Sequence, residues 1–94
     1  MLIINAEIRL HQGKSFNRKL RINDKMPGIL YGKNQPSILL ILDHNYIFNI
    51  QKQLNFYKKN VFLFIKDEKY TVKVQSIQRR TFQSKLLHID FVYV

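Results

Sequence analysis

At 94 residues, with 46% hydrophobic and 13% aromatic side chains, the chain has enough apolar material for one packed core and lacks the signature of a disordered basic tail. Its 16 Lys and Arg against 6 Asp and Glu give a formal charge of +10, an excess that repels itself in so small a domain and points to nucleic acid or an anionic membrane surface. The absence of Cys excludes a disulfide framework and any thiolate metal site, and the longest apolar runs, Ile38 to Leu42 and Val61 to Ile65, fall far short of a membrane span.

The opening, Met1 to Glu7, has no basic region ahead of its apolar residues, so no secretory signal is expected. The chain reads as a single domain over 1–94 of a cytoplasmic protein. Leu2, Ile4, Ala6, Ile8 and Leu10 are apolar while Asn5, Glu7, Arg9 and His11 are polar, the period-two pattern of a half-buried strand. Gln12-Gly13 breaks it, and Ser15 has N-cap chemistry for a basic helix running to about Asp24. Lys14, Arg18, Arg21 and Lys25 recur there at spacings of four, three and four residues. Those intervals bring the cations to one side, with Phe16 and Leu20 opposite. No acid stands among them before Asp24, so an intrahelical salt-bridge pattern is excluded and nucleic-acid contact is favoured.

Met26-Pro27-Gly28 stops the helix and leads into a short strand, Ile29 to Tyr31. Gly32 to Pro36 reads as a loop and Ser37 to Leu42 as a strand. Asp43 has the chemistry of an N-cap for a second helix, with Ile47, Ile50 and Leu54 as its apolar stripe and Tyr46 and Tyr57 flanking. A hairpin follows: Val61 to Lys66, a turn at Asp67-Glu68-Lys69, and a return strand, Tyr70 to Ile77, in which Tyr70, Val72 and Val74 alternate with Thr71, Lys73 and Gln75. Gln78 to Lys85 is a polar, basic connection. The last strand, Leu86 to Val94, sets Leu87, Ile89, Phe91 and Tyr93 on one face and His88 and Asp90 on the other. The pattern predicts a mainly β fold, a small closed, mostly antiparallel six-stranded barrel with two α-helices.

Beside the basic helix stands a second set of polar side chains: Arg9, Gln75, His88 and Asp90, with Tyr31 and Gln78. These are groups for base edges and sugars. Gln pairs donor with acceptor, Tyr stacks or donates, and Arg forks onto phosphate or guanine. Asp90, a carboxylate among cations, either accepts from a base amino group or orients His88 or Arg9. Arg79-Arg80 with Lys85 reads as a phosphate-contacting loop. His11, His44 and His88 do not form a paired acid–base motif, there is no Gly-rich phosphate loop, and no cofactor or metal site is expected.

Several stretches together resemble a known family: Ile4-Asn5-Ala6-Glu7-Ile8-Arg9, Gly13-Lys14, Arg18-Lys19-Leu20-Arg21, Pro27-Gly28-Ile29-Leu30-Tyr31-Gly32, Val74-Gln75-Ser76-Ile77-Gln78-Arg79 and His88-Ile89-Asp90-Phe91-Val92. The chain is similar, over essentially its whole length, to the short single-domain form of bacterial ribosomal protein twenty-five of the large subunit. The resemblance implies a closed barrel with two helices that binds 5S ribosomal RNA in the central protuberance, at the minor groove of the loop E stem. By position, the implied RNA-binding residues are Arg9, Lys14, Arg18, Lys19, Arg21, Tyr31, Gln75, Gln78, Arg79, His88 and Asp90. Lys19 stands where the family typically has Arg, which loses a bidentate fork and keeps the charge. The partners so implied are 5S rRNA and the large ribosomal subunit, with no membrane and a protein monomer outside the ribosome. The alternatives are a barrel module for another structured RNA such as tRNA, and a small ribonuclease using His88.

Overall fold

The first strand, β1 (Ile3–Ile8), leads to the basic helix α1 (Lys14–Ile22), and the chain then runs through β2 (Lys25–Gly32), β3 (Gln35–Asp43), α2 (His44–Ile50), β4 (Val61–Ile65), β5 (Glu68–Arg79) and β6 (Leu86–Tyr93). The computed structural model describes residues 2–10, 13–53, 55–80 and 85–94. The expectations for His11, Gln12, Leu54 and the middle of the 78–85 connection lie outside the described residues, as does the side chain of Lys14. The strands close in the order β1-β3-β2-β6-β5-β4. Four of the six pairings are antiparallel, while β1 with β4 and β2 with β6 run parallel. This is the mostly antiparallel barrel that the alternation predicts. No helix among the described residues is long and apolar enough to cross a membrane.

Inward residues of every strand meet in one core. Ile4, Met26, Leu30, Leu40, Leu42, Leu63, Val72, Ile89 and Phe91 are all at most 1% exposed. Gly28 stands among them because a Cβ there would lie 2.9 Å from the Ile89 carbonyl oxygen and 2.7 Å from Leu42 Cδ1, so only Gly lets β2 and β6 approach this closely. Ile47 and Ile50 of α2, together with Phe56, add to the same core and cover one end of the barrel. Asp43 caps α2 as its chemistry predicts, Oδ1 accepting from Tyr46 N at 3.0 Å. The helix then stops at Ile50 instead of reaching Tyr57, and Phe56 fills the core from the turns that follow.

Several boundaries differ from the sequence expectation, each for a local reason. Gly13, not Ser15, is the N-cap of α1, at φ 114°, and no side chain caps the helix. The helix ends at Ile22, with Asn23 N–H on the Lys19 and Leu20 carbonyls and Asp24 at φ 56°. Asn and Asp tolerate that left-handed geometry. Lys25 therefore belongs to β2 rather than to the helical stripe. The Met26-Pro27-Gly28 segment is itself buried strand. The expected Gly32–Pro36 loop shrinks to a two-residue turn, Lys33-Asn34, with φ of 48° and 57°. The β4–β5 turn is likewise Lys66-Asp67, at 48° and 65°, not Asp67 to Lys69. Two-residue turns with both φ positive match the twist of paired strands. Leu10, expected on the core face, is 84% exposed just past the end of β1.

Candidate nucleic-acid interface

Strand register decides which polar groups share the outer wall. Across β5 and β6, Val74 pairs with Phe91 but Ser76 pairs with Asp90, so Gln75 is an extra residue in β5. Gln78 pairs with His88 while Arg79 pairs with Leu86, so Leu87 is an extra residue in β6. The first bulge points Gln75 and Ser76 both to solvent beside Asp90. The second turns Leu86 into the core, 4% exposed, in place of the expected Leu87. On the other side of β6, Ile29 and Tyr31 of β2 pair with Asp90 and Val92. Tyr31, Asp90, His88, Gln75 and Gln78 thus stand on one wall of three adjacent strands, as their residue types suggest.

Within that wall the side chains are already connected. His88 Nδ1 lies 2.9 Å from Asp90 Oδ1, both side chains a little over one quarter exposed. Tyr31 OH donates to Asp90 Oδ2 at 3.5 Å. The arrangement places the imidazole proton on Nδ1 and leaves Nε2 as the group presented outward. Asp90 is therefore the hub that orients a phenol and an imidazole.

Arg9 follows β1 on the same outer course, its N–H donating to the Leu39 carbonyl at 2.8 Å, and Leu39 in turn pairs with Ile29. It is not the open wall residue that alternation suggests. Its exposure is 9%, its Nε is buried with no hydrogen-bond partner, and desolvation lowers its pKa from the ordinary arginine value. A guanidinium stays charged under such a shift, so a buried cation with an unused donor stands next to the wall.

Helix α1 packs against β2 and buries Leu20, 7% exposed, while Arg18, Lys19 and Arg21 face solvent. Basic residues in its last turn, Lys19 and Arg21, sit favourably at the negative end of the helix dipole. Arg21 lines a pocket together with Asp24, Lys25, His44, Arg80, Lys85, Leu86 and Leu87, which puts the end of α1 beside the start of β6, one residue before His88. The cations and the polar wall adjoin.

Arg79 departs from the expected grouping, and His44 has a contact that the sequence does not announce. Arg79 follows Gln78 and so faces away from the wall, where its Nη2 donates to Tyr57 OH at 2.8 Å. His44, the first residue of α2, is 6% exposed, and its Nε2 accepts the Leu86 N–H at 2.9 Å. That bond ties the start of α2 to the start of β6, the strand that bears His88 and Asp90. No local periodicity announces a contact across 42 residues.

A closed barrel bearing a cationic helix beside a wall of linked hydrogen-bonding groups has the make-up of a structural RNA-binding protein. The sequence model of the Ribosomal L25p family matches residues 4–91. The "Large ribosomal subunit protein bL25" of Buchnera aphidicola subsp. Schizaphis graminum is 58% identical over 93 residues, covering 99% of this chain and 97% of that protein. The protein of the same name from Klebsiella pneumoniae is 45% identical over 92 residues, 98% of each chain. The chain belongs to the ribosomal L25p family. It is a ribosomal protein and not an enzyme, which removes the ribonuclease alternative for His88.

Proposed function

We propose that this protein is a structural constituent of the large ribosomal subunit in the cytoplasm that binds 5S rRNA, at the minor groove of the loop E stem in the central protuberance. The observation that carries this reading is the linked trio Tyr31–Asp90–His88 on the wall next to the cationic end of α1. A-form RNA presents a wide, shallow minor groove lined by 2′-hydroxyls and base edges. A groove of that shape is open to side chains that stand on a sheet wall. Arg18, Lys19 and Arg21, with Lys14 at the head of the same helix, neutralise phosphates beside it, and these contacts supply affinity.

Site choice falls to the wall. Nε2 of His88 accepts from a 2′-hydroxyl, Gln75 and Gln78 pair donor and acceptor with base edges, and Asp90 accepts from a base amino group with its remaining lone pairs. Its negative charge penalises a bare phosphate at that spot, which is a specificity device. Arg9, nearly buried at the edge of the wall, adds positive charge that favours an RNA backbone there. The reading includes a protein monomer outside the ribosome, supported by a closed barrel that offers no strand edge for a second copy to extend.

The test is a gel shift of isolated 5S rRNA, with a variant lacking the loop E stem and with tRNA as competitor. Binding of the full RNA, loss on deletion and failure of equimolar tRNA to compete are expected. Equal affinity for tRNA would overturn the assignment in favour of a general structured-RNA module. With about five cations on phosphate, log K should fall against log salt with a slope of about −3.5 to −4.5.

A further inference from the structure

We infer that Tyr57 is a positioning residue for Arg79, and that the two extend the RNA-binding surface from the barrel wall onto the end covered by α2 and Phe56. The inference rests on the wall being the RNA interface, as proposed above. Arg79 Nη2 donates to the Tyr57 hydroxyl at 2.8 Å. The Tyr57 ring stands edge-on to Phe56, at 5.2 Å between centroids and 89° between planes, and Phe56 is completely buried. The hydroxyl is therefore anchored to the core through one ring, while Tyr57 itself is 40% exposed and holds its OH at the surface.

The chemistry of the partner matters. A carboxylate would fix an arginine equally well but would cancel its charge. A phenol takes one of five guanidinium N–H donors and leaves the charge and the other donors for an acceptor from solution. No acidic side chain pairs with Arg79 among the described residues. Its neighbour Gln78 pairs with His88, so the Arg79 backbone continues the wall strand while its side chain turns off the wall to Tyr57 at the end of the barrel. The inference requires an RNA on the wall to extend its backbone over that end. An arginine already ordered spares the loss of rotamer freedom on binding, which amounts to about two- to tenfold in Kd for one long side chain.

The test is a double-mutant cycle with Tyr57→Phe, Arg79→Ala and the pair, reading Kd for isolated 5S rRNA and its salt dependence, with thermal melts to confirm the fold. Phe keeps the ring against Phe56. Tyr57→Phe should weaken binding about two- to tenfold without changing the salt slope, because Arg79 still reaches phosphate. Arg79→Ala should weaken it at least as much and flatten the slope by about 0.7 to 0.9. The double variant should match Arg79→Ala. A Tyr57→Phe loss that persists undiminished in the Arg79→Ala background overturns the inference, as does wild-type affinity in either single variant. Wild-type protein that fails to bind 5S rRNA refutes the functional reading as well. Wild-type binding with a contrary cycle refutes the positioning role alone.

Discussion

Replacing Asp90 by Asn separates affinity from site choice. Asp90 accepts from His88 Nδ1 at 2.9 Å and from Tyr31 OH at 3.5 Å, and Asn preserves volume and one acceptor oxygen. The pair is partly exposed, so the fold should lose no more than about 1 kcal/mol. At cognate RNA, losing the carboxylate removes one base-directed contact of about 1–3 kcal/mol. The same change relieves repulsion of phosphates, worth roughly 0.4 kcal/mol for a charge about 10 Å away in water, and less beyond a Debye length of about 8 Å. Binding to a duplex of unrelated sequence should therefore stay level or tighten by up to about twofold. The relief is common to both RNAs and cancels in their ratio. Discrimination should thus drop by about 5- to 150-fold, the factor equivalent to 1–3 kcal/mol. Fluorescence anisotropy with labelled 5S rRNA and an unrelated duplex, at one fixed ionic strength, measures both. If the two affinities rise by the same factor, Asp90 acts only as a misplaced charge and the specificity role is refuted.

Arg18→Ala, on the solvent face of α1, should weaken cognate and unrelated RNA alike and flatten the salt slope by about 0.7 to 0.9, measured by the same titrations. His44→Phe keeps a ring stacked near Phe48 but leaves the Leu86 N–H without its acceptor. The expected cost is about 1–3 kcal/mol. For 94 residues the unfolding entropy is about 0.2 kcal/mol per kelvin, so the midpoint should fall by about 5–15 °C in a thermal melt. Tyr70 ionises above the ordinary tyrosine value because its OH donates to Glu68 Oε2 at 2.9 Å, and burial raises Tyr93. The folded state thus holds these protons more tightly than the unfolded chain. The stabilisation is complete below the ordinary tyrosine pKa of about 10 and is lost as pH rises through the native values. An ultraviolet titration should show both phenols ionising late, and Glu68→Gln should bring Tyr70 back toward its ordinary value.

Much of this was legible in the chain because it rests on short-range periodicity. Alternation marked Ile4, Val72, Val74, Ile89 and Phe91 as inward and His88 and Asp90 as outward, and Asp43 announced its cap by side-chain chemistry alone. The cation spacing on α1 and the excess charge pointed to a polyanion without any knowledge of packing. Other features have no local signature. The bulges at Gln75 and Leu87 arise from pairing between strands, so the inward turn of Leu86 could not be read from β6 by itself. Arg9 reads as a polar strand residue, yet its burial depends on what covers it.

The amino-acid sequence by itself determined the class of fold, the excess of positive charge and the residue types on the outer wall, because 3.6- and 2-residue periods act over neighbouring positions. Only the tertiary structure decided which of those residues share a surface. Closure of the barrel through two parallel pairings, the Leu86 N–H bond to His44 and the Arg79 bond to Tyr57 each join segments far apart in the chain. Such contacts form when strands from distant segments meet in a fixed register, and a one-residue shift in that register moves a side chain from the wall to the core.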